Sequence, residues 1–223
     1  MQTYPLILDN GHLFIALAEG TFLFDTGAPT SFGRVSPLAL EGQRFNFPPG
    51  YMGLTAELLS TYVGHKTDGI LGGDILNQFD ILIDTPQSRV CFSSAQLNCD
   101  GEILPVDFFM NVPILAADVE GKPVKMFFDT GAQISYFQDD SLSSFPAEGS
   151  VTDFYPGVGQ FFTDTFRTPI QLGRTRYELR CGQLPDLLGM TLMLAGTDGI
   201  VGNELLHRRL VGYFPRRRQL ILS

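Results

Sequence analysis

Basic residues are scarce in this chain. Fifteen Lys and Arg stand against 24 Asp and Glu, leaving a net charge of −9. That balance argues against nucleic acid or an anionic membrane surface as the main partner, because both select basic patches. Cysteine is scarce as well. Cys91, Cys99 and Cys181 form an odd set with no C-x-x-C spacing, so neither a disulfide framework nor a zinc site is expected. A bridge between Cys91 and Cys99 across a short loop stays open. His12, His65 and His207 share no metal-ligand spacing, and H-E-x-x-H does not occur, so no metal and no cofactor is expected. No apolar run reaches the ~18 residues that a membrane helix needs, so no membrane segment is expected. Residues 1–19 lack a basic start, a long apolar centre and a small-residue cleavage site. The expectation is a cytoplasmic protein, although a chain trimmed of its leader would read the same way.

What is present suits a folded, β-rich chain. Hydrophobic residues make up 44% of the 223 positions and charged ones 17%, enough apolar surface for a proper core. The length suits one large domain or two lobes of about 100 residues each. The 24 Gly, 14 Pro and 19 Phe predict many short strands and tight turns rather than long helices.

One stretch organises the rest. Phe22-Leu23-Phe24 is an apolar strand that ends abruptly on Asp25-Thr26-Gly27-Ala28, and Met126-Phe127-Phe128 ends in the same way on Asp129-Thr130-Gly131-Ala132. A buried apolar strand has no use for a carboxylate at its tip unless the carboxylate does something. The repeat extends well beyond the tripeptides. Leu13 to Gly20 and Ile114 to Gly121 are apolar strands closing on Glu-Gly hairpin turns. Asp68-Gly69-Ile70-Leu71-Gly72 matches Asp198-Gly199-Ile200-Val201-Gly202, each predicting a strand followed by a short helix. Each copy then ends in a hairpin, at residues 81–92 and 210–222. The reading is two units, 1–98 and 99–223, with residues 93–102 as the linker.

The copies differ in length. Asp25 to Asp68 spans 43 positions and Asp129 to Asp198 spans 69, so the second copy carries 26 more residues. They fall around residues 151–166, where Phe-, Tyr- and Thr-rich runs flank Pro156-Gly157-Val158-Gly159. This composition predicts a mobile hairpin better than a core strand. Packing or an interaction surface is the plainer reading of the same aromatics. Residues 169–180 alternate apolar and polar side chains and predict a further surface hairpin. In the first copy, residues 43–50 are a shorter and poorer counterpart. Thr55 to Ser60 predicts a short helix capped by Thr55 and stopped near Gly64. Arg216-Arg217-Arg218 reads as a solvated hairpin tip.

The two Asp-Thr-Gly-Ala turns, with Ile70-Leu71-Gly72 and Ile200-Val201-Gly202, resemble the aspartic peptidases of the pepsin and retroviral types. The resemblance covers most of the chain as a repeat. It implies an all-β, bilobal acid-protease fold of two pseudo-twofold-related, barrel-like lobes with short helices. It also implies a monomeric endopeptidase acting on peptide or protein substrates. In that reading Asp25 and Asp129 are the catalytic pair, and Thr26 and Thr130 are buried hydroxyls bracing the lobe interface. Ala28 and Ala132 contribute peptide-binding backbone, and the second-copy hairpin, with Tyr155, Gly157, Val158, Gly159 and Phe161, covers the substrate. The first copy looks too short to supply a cover of its own.

Elementary chemistry leads to the same pair. Two carboxylates brought together cannot both ionise cheaply, so they share one proton. Such a pair offers a base to activate water and an acid to polarise a carbonyl. Gly27 and Gly131 permit close backbone approach, and their amides can hold the carboxylates coplanar. Alanine at 28 and 132 offers no hydroxyl to favour the ionised form, which predicts a less acidic optimum than that of pepsin. Two further readings stay open. The aspartates could be ordinary turn or cap residues, and the chain could be a catalytically idle peptide-binding module.

Overall fold

The computed structural model describes residues 1–138, 140–155 and 159–223. It is mostly β, with 54% strand against 13% helix. The first half runs through β1 (Gln2–Asp9), β2 (His12–Leu17), β3 (Gly20–Phe24), β4 (Phe32–Gly33), β5 (Leu38–Leu40) and β6 (Gln43–Phe45). It continues with β7 (Gly50–Tyr51), β8 (Leu54–Thr55), α1 (Ala56–Val63), β9 (Gly69–Leu71), α2 (Gly73–Leu76), β10 (Asp80–Asp84) and β11 (Arg89–Ser93). The second half has β12 (Glu102–Phe109), β13 (Val112–Val119), β14 (Lys122–Phe128), β15 (Ser135–Phe137), β16 (Ala147–Tyr155) and β17 (Gly159–Leu172). It closes with β18 (Thr175–Gln183), α3 (Asp186–Ala195), β19 (Gly199–Val201), β20 (Leu210–Phe214) and β21 (Gln219–Leu222).

The internal repeat is visible in the pairing. In the first half β1 pairs with β2, β2 with β3, and β3 runs parallel to β9, with Leu23 opposite Ile70. In the second half β12 pairs with β13, β13 with β14, and β14 runs parallel to β19, with Phe127 opposite Ile200. The acid that opens each Asp-Gly segment fastens these parallel strands. Asp68 Oδ2 accepts the Thr21 amide at 3.0 Å, and Asp198 Oδ2 accepts the Lys125 amide at 2.8 Å. The terminal glycines serve close approach. A Cβ on Gly72 would lie 2.6 Å from the Ala28 carbonyl oxygen, and one on Gly202 would lie 2.1 Å from that of Ile134. Only glycine lets each aspartate loop pass beside its neighbouring strand.

The hairpins that end the two halves join into one antiparallel sheet, in the order β1-β11-β10-β20-β21-β12. At its centre β10 lies against β20, Ile81 opposite Tyr213 and Ile83 opposite Val211. Side chains alternate across such a sheet, and Ile81, Ile83, Val90, Phe92, Val211, Tyr213, Leu220 and Leu222 all turn into one core. Phe24 and Phe128, the last strand residues before the two aspartates, are fully buried in that core. Truncating either to alanine would cost about 3–5 kcal/mol, so the strand ends that carry the acids are firmly anchored.

The helix predicted after Thr55 is α1. Thr55 Oγ1 accepts the Leu58 amide, and Gly64 ends the helix in the left-handed conformation at φ 65°. The hairpin predicted at residues 169–180 is β17–β18, with Ile170, Leu172, Tyr177 and Leu179 on its buried face. The arginine run needs correction. Arg216 and Arg217 are not a solvated tip; they close around Asp80, which has no exposed surface. Arg216 Nη2 donates to Asp80 Oδ1 at 2.8 Å, and Arg217 Nη2 donates to Oδ2 at 2.7 Å. The same guanidinium groups reach the carbonyls of Ser94 and Leu97, so the segment expected as a linker is held against the sheet. Sequence position at a turn concealed this, because the partner acid lies more than 130 residues away. Among the described residues no helix is long and apolar enough to cross a membrane.

Candidate active site

Asp25 follows β3 and Asp129 follows β14, and the pairing of each strand sets the position of its acid. The Asp25 amide donates to the Leu71 carbonyl at 3.0 Å, and the Asp129 amide donates to the Val201 carbonyl at 2.9 Å. Beyond the acids each chain turns back on its own carboxylate. Asp25 Oδ1 accepts the amides of Gly27 and Ala28, both at 2.9 Å. Asp129 Oδ1 accepts those of Gly131 at 2.9 Å and Ala132 at 3.2 Å.

The two turns meet face to face. A Cβ on Gly27 would lie 2.1 Å from the Asp129 carboxyl carbon, and one on Gly131 would lie 2.4 Å from that of Asp25. Each glycine therefore leaves the space that the opposite carboxyl group occupies. Beneath them Thr26 and Thr130 are fully buried and bonded reciprocally. A further layer repeats in each half: Gly72 N donates to Ser31 Oγ at 2.8 Å and Gly202 N to Ser135 Oγ at 3.2 Å.

Electrostatics follow from this contact. Burial raises the pKa of both carboxyl groups, and at Asp25 the facing Asp129 charge adds to the rise. The titration belongs to the pair, which retains a proton to higher pH than an isolated carboxyl would. A pair of that kind presents one acid and one base at the same spot.

Both carboxyl groups line a cleft of about 310 Å³. Its first-half wall includes Ala28, Phe32, Leu54 and Ile70, and its second-half wall includes Ala132, Tyr136, Leu184, Leu192 and Ile200. Of the residues expected from the sequence to touch a substrate, Ala28, Ala132, Tyr155 and Phe161 line this cleft. Gly159 begins β17, 3.7 Å (measured from its ideal Cβ) from the Tyr62 hydroxyl of the first half. Gly157 and Val158 lie outside the described residues. Thr26 and Thr130 support the floor from below.

The hairpin β16–β17 leans across to the first half. Phe154 stacks on Tyr62 with ring centroids 5.3 Å apart and lies 6.1 Å from the His12 ring. The first half does have a counterpart, against the expectation that it is too short to supply one. It is the two-rung hairpin β7–β8, whose Tyr51 and Met52 line the same cleft. Its signal is the Met52-Gly53 turn between Tyr51 and Leu54, easily lost among the Pro and Gly residues before it. Met52 and Met110, both 67% exposed, stand on the rim, one from each half. Asp153, a third acid in the cleft wall, is a site residue that sequence reasoning missed.

Among the described residues no group of three or more His, Cys, Asp and Glu side chains is disposed to hold a metal ion. All three cysteines are free thiols, so Cys91 and Cys99 are not bridged. No protein-family model matches the chain, and a search of curated proteins finds no match to it.

Proposed function

We propose that this chain is an aspartic endopeptidase, related in fold to the pepsin and retroviral enzymes. On this reading residues 1–98 and 99–223 are its two lobes, each contributing one catalytic aspartate, so a single chain carries a complete site. The observation that carries the proposal is the mutual approach of the acids, each carboxyl group occupying the space a Cβ would fill on the glycine two residues after the other acid. Two facing carboxyl groups on the floor of a largely apolar cleft suit addition of water to a peptide carbonyl.

The mechanism follows from the shared proton. The ionised member takes a proton from a water molecule, whose oxygen attacks the scissile carbonyl carbon. The protonated member donates to the carbonyl oxygen as it becomes a hydroxyl. Collapse of the resulting diol, with proton transfer to the amine, breaks the C–N bond and needs no covalent acyl-enzyme. The amides of Gly27, Ala28, Gly131 and Ala132 keep the two carboxyl groups oriented through these steps. The hairpins at Tyr51 and Tyr155 cover the substrate from opposite halves.

Cleavage of a peptide library tests the proposal. Activity should be sensitive to pepstatin and lost in both Asp25→Asn and Asp129→Asn. Its pH profile should peak in mildly acidic solution, because the donors to the acids are backbone amides with alanine, not serine, at 28 and 132. A peak below about pH 3, as in strongly acid relatives, would contradict that assignment. Peptide binding without cleavage at any pH from about 3 to 8, the span over which such a dyad titrates, would identify an idle binding module instead.

A further inference from the structure

The two walls of the cleft correspond at the positions the repeat shares and differ in chemistry between them. Phe32 and Tyr136 each stand seven positions after their aspartate, and Ile70 answers Ile200. On the first-half wall Phe32, Leu54 and Ile70 are apolar, and apart from Asp25 no charged side chain of that half lines the cleft. The second-half wall carries Asp153, only 7% exposed, beside the rings of Tyr136 and Phe161, whose centroids are 5.9 Å apart.

The donors that reach Asp153 are neutral. Its Oδ1 accepts the Phe154 amide at 2.8 Å and its Oδ2 accepts the Tyr136 hydroxyl. No Lys, Arg or His stands among the described residues that line the cleft. His12 acts on Asp153 from outside the lining, but its Nδ1–H is committed to the Gly131 carbonyl at 3.0 Å. Burial raises the Asp153 pKa accordingly. A buried carboxylate whose hydrogen-bond donors are all neutral is costly, and a cation brought by the substrate offsets that cost.

We infer that the second-half subsite takes a basic side chain, lysine or arginine, with Asp153 as its counter-ion, while the first-half subsite takes an apolar one. The aliphatic stem would lie along Tyr136 and Phe161, leaving the charged head for the carboxylate. A glutamate side chain there would meet Asp25, Asp129 and Asp153 together and is rejected. This inference rests on the peptidase reading for its kinetic test, though not for its binding test.

The experiment uses fluorogenic peptides that differ only in lysine or norleucine at each position flanking the scissile bond. At one of the two positions the wild-type chain should favour lysine in kcat/KM by about tenfold or more, the range expected for a close, desolvated charge pair. Asp153→Asn should bring that ratio near one. Tyr136→Phe, which removes a neutral donor and leaves the charge, should retain the preference. Equal losses on both peptides in Asp153→Asn would make Asp153 a mere prop for Tyr136 and overturn the inference, as would a wild-type preference for norleucine. If no peptide is cleaved, the peptidase reading fails, and the same peptides are then compared by equilibrium binding. Tighter binding of the lysine peptide, lost in Asp153→Asn, supports the inference; equal or absent binding overturns it.

Discussion

The Thr26 amide donates to Thr130 Oγ1 at 3.0 Å, and the Thr130 amide donates to Thr26 Oγ1 at the same distance. Each hydroxyl then donates in turn across the interface, Thr26 to the Phe128 carbonyl at 2.6 Å and Thr130 to the Phe24 carbonyl at 2.7 Å. Valine would keep the shape and remove these bonds. In Thr26→Val the Thr130 amide and the Phe128 carbonyl would be left buried and unpaired, each costing about 1–3 kcal/mol. Thr130→Val should cost a similar amount through the Thr26 amide and the Phe24 carbonyl. Denaturant titration measures both, and a loss below about 0.5 kcal/mol, the range of ordinary surface substitutions, would show that the hydroxyls do not brace the halves.

Gly27→Ala should separate the acids without unfolding the chain. The added methyl would sit 2.1 Å from the Asp129 carboxyl carbon, inside any van der Waals contact, so one loop must shift. Misplacement by about 1 Å costs on the order of a hundredfold in rate. In the proposed peptidase, cleavage should fall by that factor while the circular dichroism spectrum is retained. Gly131→Ala should behave alike, and full activity in either variant would rule out the face-to-face arrangement as the working one.

The ionisation of Asp25 links stability to pH. Burial and the Asp129 charge raise its folded-state pKa, so the folded chain binds this proton more tightly than the unfolded chain does. Folding is therefore handicapped above the folded pKa. The handicap fades as pH falls through that pKa and is gone below the unfolded value near about 3.9. An asparagine side chain has no such proton to lose. Asp25→Asn should raise Tm at pH 7 by on the order of 2–4 °C, the shift that about 1 kcal/mol produces at this length. The advantage should vanish near pH 4. A difference in Tm that stays constant from pH 4 to pH 8 would exclude this linkage.

Legibility followed the range of the interactions. The loops around Asp25 and Asp129 could be read because their chemistry is local: an apolar strand, an acid, and amides two and three residues later. The helix after Thr55 was readable for the same reason, cap and stop both lying within ten residues. Asp153 was not, because one acid in a β-rich segment looks solvent-facing until Tyr136 and the cleft wall fold over it. The hairpin at Tyr51 was hidden by its size, two rungs giving too little alternation to register. Arg216 and Arg217 were misread because charge runs are ordinarily solvated, and nothing nearby announces a buried acid.

That buried acid gives a prediction of its own. Asp80 has no exposed surface, whereas the Arg216 and Arg217 side chains retain 34% and 26% of theirs. Removing one partner of a buried pair costs about 3–5 kcal/mol, mostly through the charge left behind. The two possible removals are unequal. In Asp80→Asn the arginines can turn towards water, and the amide still accepts from the Leu97 N–H, which in the native chain donates to Asp80 Oδ2 at 2.9 Å. In Arg216→Met/Arg217→Met the carboxylate stays buried with no base, and the carbonyls of Ser94 and Leu97 lose their donors. The double substitution should therefore destabilise more than Asp80→Asn. It should also speed limited proteolysis within residues 94–101, the segment the guanidinium groups hold down. Denaturation of the two variants, with cleavage sites mapped by mass spectrometry, tests this ordering, and a larger loss in Asp80→Asn would reverse it.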